Sequence, residues 1–103
     1  MNIAPSMSSV ADVGVIRRLA DLLKLGGDPT RLALVLALRE GAASTADLAE
    51  DLGVDRAVLA RNLQLLRAAG VVESSRTGGG SKHELTSKGR ALLAAVEALD
   101  GRD

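Results

Sequence analysis

The sequence predicts a mainly α-helical fold with one small β-hairpin, its elements running ααααββα. Three observations predict it. Four amphipathic or apolar segments of helical length follow one another, each opened by a capping residue and closed by glycine. Two short strand-like runs then flank Gly78-Gly79-Gly80. A last helical pattern follows the strands. At 103 residues the chain has room for one hydrophobic core, read here as a single domain over residues 10–100 behind a flexible arm at residues 1–9.

The first helix is expected from Val10 to Leu25, between Ser8-Ser9 and Gly26-Gly27, with Val13, Ile16, Leu19, Leu22 and Leu23 as a one-sided stripe. Asp28-Pro29 opens the second, which runs through Thr30 to Arg39 and stops at Gly41. Asp serves as N-cap, and Pro stands where its missing N–H costs nothing. This helix is apolar nearly all round and should be the central buried one. Ser44, with Asp47 three residues on, caps a short third helix through Leu52. After Gly53-Val54, Asp55 caps a fourth helix from Arg56 to Ala69, closed by Gly70. A short helix, a three-residue link with glycine and a second helix make a helix-turn-helix. Val71 to Arg76 and Lys82 to Leu85 read as strands joined by a flexible tip at residues 77–81, and Thr86 or Ser87 caps the last helix to about Leu99. The whole is the order of a winged helix-turn-helix.

Composition narrows the function. With no Phe, Tyr or Trp, the core must be built from Leu, Val, Ile and Ala, which bury less area per residue. A thin core gains from pairing with a second copy. With no cysteine the chain has no disulfide, thiolate metal site or thiol switch. Met1 to Ser9 lacks the basic and apolar regions of a signal peptide, and no run approaches the roughly 20 apolar residues of a membrane span, so the expected compartment is the cytoplasm. The zero net charge hides segregation. Residues 1–55 carry five basic and eight acidic side chains; residues 56–90 carry seven basic and two acidic. A basic block in a neutral chain points to a polyanion on one face.

The fourth helix is the most informative segment. Stepped at about 100° per residue, Arg56, Ala57, Ala60, Arg61, Gln64 and Arg67 share an arc of about 140°. Val58, Leu59, Leu63, Leu65, Leu66 and Ala69 occupy the opposite arc. The outer face holds three arginines and a glutamine and no acid. Arg can pair bidentately with guanine and Gln with adenine, while small residues admit thymine methyls. Arg56, Ala57, Ala60 and Arg61, near the N-terminus, are the expected base contacts. Gln64 can reach bases or backbone, and Arg67 phosphate. The hairpin adds Arg76, Thr77, Ser81 and Lys82 as phosphate or minor-groove contacts. Asn62, inside the apolar arc, reads as a structural residue bonded to nearby backbone. Gly78-Gly79-Gly80 lacks the spacing and the following helix of a phosphate-binding loop. In the last helix Leu92, Ala95, Val96 and Leu99 form a narrow seam for a partner helix.

Leu19 to Leu38, LADLLKLGGDPTRLALVLAL, and Ser44 to Gly79, STADLAEDLGVDRAVLARNLQLLRAAGVVESSRTGG, resemble the ArsR family of winged-helix repressors. The Leu85 to Leu93 segment is also similar to MarR-type regulators. The resemblance implies a homodimer formed through the first and last helices (Val13, Ile16, Leu19, Leu92, Ala95, Val96 and Leu99) and repression by binding double-stranded DNA at a near-palindrome. It also marks departures. Where many members place paired metal-sensing cysteines, this chain has Ser44 and Ala46; its last helix has no His, and Glu97 and Asp100 alone are a poor transition-metal site. No metal or other cofactor is therefore expected, and any effector would be an unidentified small molecule. Ser81-Lys82-His83 replaces the family's wing aromatics, and His83 reads as a surface residue. No nucleophile, base and orienting acid assemble in the sequence, and Glu50 and Asp51 have no such neighbours, so an enzyme is not expected. The alternative function is a winged-helix module for protein interaction or dimerisation that has lost DNA binding.

Overall fold

The computed structural model describes residues 12–101. The expected arm at residues 1–9, the Ser8-Ser9 signal and Val10 lie outside them. Helix α1 spans Val13–Gly26. It begins three residues later than the sequence predicts, because Asp12 is extended and its side chain takes the Val15 N–H at 2.8 Å. An N-cap carboxylate satisfies one of the orphan amides there. Helix α2 spans Pro29–Ala37 behind the Asp28 cap and tightens into a 3-10 turn over Leu38–Glu40. Gly41, at φ 134°, ends it.

A strand absent from the sequence reading comes next. β1 is only Ala43–Ser44, yet it pairs antiparallel with the hairpin at Ala43↔His83 and Ser44↔Lys82. Ser44 then caps α3 (Thr45–Leu52), accepting the Asp47 N–H at 3.0 Å. Helix α4 spans Arg56–Ala68. The hairpin consists of β2 (Val72–Thr77) and β3 (Gly80–Leu85), giving a three-stranded sheet in the order β1-β3-β2. Pairing continues to Thr77↔Gly80, so the tip is a tight turn at Gly78-Gly79 and not the five-residue flexible loop expected. Helix α5 spans Ser87–Asp100 behind Thr86, whose hydroxyl takes the Gly89 N–H at 3.1 Å.

The core is aliphatic throughout. Leu34 and Val35 from α2, Leu38 from the 3-10 turn after it, Leu48 from α3 and Leu59, Leu63 and Leu66 from α4 are buried together, closed by Val71, Val72, Leu85 and Leu93. α2 is central as expected but not buried all round: Leu34 and Val35 are buried, while Leu32 and Leu36 on its other face are only half-buried. α1 buries none of its residues fully. Among the described residues no helix is long and apolar enough to cross a membrane.

Candidate nucleic-acid interface

The angle between α3 and α4 is set by backbone chemistry. Gly53 adopts φ 63°, ψ 34°, a left-handed conformation that glycine enters without strain. The Val54 N–H then reaches back to the Ala49 carbonyl at 3.3 Å. Asp55 Oδ1 accepts the Ala57 N–H at 2.8 Å and starts α4. At the other end Gly70, φ 76°, closes the helix, with Val71 N–H bonded to the Leu66 carbonyl at 2.9 Å. Lys88 Nζ donates to the Ala69 carbonyl at 3.2 Å, a cation at the negative end of the helix dipole.

Between these caps the helix divides by period. Leu59, Asn62, Leu63 and Leu66 are buried, while Arg56, Ala57, Ala60, Arg61, Gln64 and Arg67 are all exposed. Two residues assigned to the apolar arc behave otherwise: Val58 is 43% and Leu65 38% exposed. They sit at the edge of the arc, nearly opposite Arg56, where the core no longer reaches. Asn62, 8% exposed, has the structural role expected of it. Its Nδ2 donates to the Val58 carbonyl at 2.9 Å, and its Oδ1 accepts from Arg31 Nη1 at 3.0 Å. Arg31 Nε also donates to the Leu25 carbonyl at 2.8 Å, so one guanidinium joins the end of α1 to the middle of α4. Sequence reading did not find Arg31, whose partner lies 31 positions away.

The hairpin stands beside α4. Arg76, Thr77 and Lys82 are exposed and Ser81 is half-buried. Strand alternation separates them: Arg76 and Ser81 pair across the strands and share a face with Ser74 and His83, whereas Thr77 and Lys82 belong to the other face. Arg67, expected at phosphate, donates from Nη1 to Ser74 Oγ at 3.3 Å and so rests on the hairpin.

His83 overturns its expectation. It is 3% exposed, not a surface residue. Its Nε2 lies 2.8 Å from Thr45 Oγ1 and its Nδ1 2.6 Å from Ser74 Oγ. Burial, and secondly the charge of Arg67, hold its pKa below the ordinary value of 6.5, so the imidazole is neutral at neutral pH.

Away from α4 and the hairpin, neither of which lines it, α1, α2 and α5 border an apolar groove of about 710 Å³, lined by Leu23, Leu32, Leu36, Leu92, Val96 and Leu99. Arg39 Nε and Glu97 Oε2 meet at 3.0 Å on its rim, each about half exposed. Of the residues expected to dimerise, Val13, Leu19, Ala95 and Leu99 are exposed and Ile16, Leu92 and Val96 half-buried. Leu99 is 82% exposed, a large uncovered apolar side chain.

A family profile described as a helix-turn-helix domain matches residues 27–75, from Gly27 through α4 into β2. The biofilm growth-associated repressor of Xylella fastidiosa (strain Temecula1 / ATCC 700964) is 38% identical over 80 residues, covering 78% of this chain and 68% of that protein. The crystal structure of the transcriptional repressor BigR from Xylella fastidiosa superposes with a TM-score of 0.74 at 32% identity, covering 84% of this chain and 86% of that one. The homodimeric winged helix-turn-helix DNA-binding domain of Mb0332 from Mycobacterium bovis superposes with a TM-score of 0.73 at 23% identity, over 85% and 82% of the two chains.

Proposed function

Since this chain belongs to the ArsR family of winged helix-turn-helix transcriptional regulators, a non-enzymatic family, we propose that it is a repressor that occupies a near-palindromic operator as a homodimer. The observation that carries the reading is the outer face of α4. Arg56, Ala57, Ala60, Arg61, Gln64 and Arg67 are exposed together without an acid among them. Arg56 and Arg61 near the N-terminus read base edges, the two alanines allow close approach, Gln64 reaches bases or backbone, and Arg67, held on Ser74 through Nη1, offers its remaining donors to phosphate. Arg76, Thr77, Ser81 and Lys82 of the wing contribute phosphate contacts that position the protein and carry little sequence information.

Homodimerisation through α1 and α5 is supported by the uncovered apolar side chains of Val13, Leu19 and Leu99 and by the homodimer of Mb0332. Such a regulator works alongside DNA in the cytoplasm. The 103 residues contain no cysteine, so a thiolate metal or redox signal has no ligand in them.

Selection from a randomised duplex pool tests the proposal. A near-palindrome should be enriched, and Arg56→Ala and Arg61→Ala should each cost about 1–3 kcal/mol and relax particular base positions. Failure of any sequence to enrich, with weak binding indifferent to both arginines, would refute DNA reading and favour a protein-interaction module.

A further inference from the structure

The imidazole of His83 is a buried titratable group that the DNA-reading surface leaves unused. It stands where three elements meet: Thr45 opens α3, Ser74 belongs to β2, and Ser74 is also the acceptor for Arg67 of α4. We infer that His83 is a positioning residue for the wing: its Nε2 bond to Thr45 ties the hairpin to α3, and its Nδ1 bond holds Ser74, the hairpin's acceptor for Arg67 of α4. The inference rests on the DNA-binding reading above.

The donors and acceptors are consistent around the cluster. With Arg67 donating to Ser74 Oγ, one consistent assignment gives the serine proton to Nδ1 and the ring proton on Nε2 to Thr45 Oγ1. One neutral tautomer thus satisfies both strands and both helices. The rest of the hairpin's attachment through β1 is narrow, only Ala43↔His83 and Ser44↔Lys82. Beyond Ser74↔His83 the ladder continues through Ser75↔Lys82, Arg76↔Ser81 and Thr77↔Gly80. That is a lever of about 10 Å, so a tilt of roughly 10° at its root displaces the tip by about 2 Å. Arg76, two residues from the root, moves by roughly 1 Å at its backbone, which weakens its alignment with a phosphate that α4 has already placed.

The test is a double-mutant cycle on the duplex selected above, with affinity measured across a salt series. In the wild-type background Arg76→Ala should flatten the dependence of log K on log salt by about one. In the His83→Leu background the wing no longer delivers Arg76, and the same substitution should change affinity by less than about two-fold with no change of slope. A merely destabilised fold would lower the active fraction without altering that slope. Equal effects of Arg76→Ala in both backgrounds, or no effect in the wild type, overturn the inference. If His83→Leu does not fold, Thr45→Val removes the Nε2 bond alone and Ser74→Ala removes the Nδ1 bond together with the one from Arg67, and the same outcomes decide. Absence of any duplex binding by the wild type overturns the functional reading and this inference together; binding with additive Arg76 and His83 effects overturns only the positioning role.

Discussion

Gly89 is where α5 docks on the base of the hairpin, and adding a single methyl there should undo the docking. A Cβ built at Gly89 would lie 2.1 Å from the Val71 carbonyl oxygen, 3.1 Å from Leu85 Cδ2 and 3.2 Å from Leu85 Cβ. Carbon and oxygen in contact ordinarily keep about 3.3 Å, so helix or strand must retreat by more than about 1 Å. Overpacking of that kind costs about 1–3 kcal/mol. The Val71 carbonyl also accepts from the Thr86 N–H at 3.0 Å and from Thr86 Oγ1 at 3.2 Å. Loss of one or both adds about 0.5–1.5 kcal/mol each. Alanine returns about 1 kcal/mol through helix propensity. The net expectation for Gly89→Ala is a loss of about 0.5–5 kcal/mol, centred near 3, from a total of about 5–15 for such a domain. Urea unfolding followed by far-ultraviolet circular dichroism measures it, at matched protomer concentration because association adds to apparent stability. Gly26→Ala is the control: its Cβ meets only Leu92 methyls at 3.7 Å, and it should be neutral or stabilising by up to about 1 kcal/mol. A Gly89→Ala midpoint that coincides with wild type would refute the close-docking argument.

Two further outcomes follow from the buried polar groups. Arg31→Ala leaves Asn62 Oδ1 buried without its donor and should cost about 1–3 kcal/mol, partly recovered by adding Asn62→Leu; strict additivity in a urea-unfolding cycle would deny the coupling. For His83 the folded pKa is depressed, so the unfolded chain binds the proton more tightly. The stability held by the neutral imidazole is fully present above about pH 6.5 and is lost as pH falls from there through the folded value, with a limiting slope of about 1.4 kcal/mol per pH unit. Subtracting the pH–stability profile of His83→Gln from that of wild type should leave this step, and a flat difference would count against it.

Features carried by local periodicity and capping were legible in the chain. Asp28, Ser44 and Asp55 each cap the helix they were expected to open, Thr86 is the cap of the two residues offered for the last helix, and the exposed face of α4 follows from its period. Asn62 betrayed itself as a polar residue in an apolar arc. What the sequence hid depends on distant pairing. β1 is two residues long, too short for any alternation, and is a strand only because β3 lies against it. His83 sits among Ser81, Lys82 and Glu84, a polar setting typical of a solvated strand; Thr45, which buries it, is 38 positions away. The tight tip escaped notice because three glycines signal freedom, whereas ladder pairing to Thr77↔Gly80 uses that freedom to turn.

Helix α1 is a long element without one fully buried residue. Under the dimeric reading, this converts abundance into information. While free protomers dominate, the number of complete dimers grows with the square of the protein supplied, so occupancy of an operator rises and falls more steeply than synthesis does. In that regime halving the dose removes nearly three-quarters of the active species.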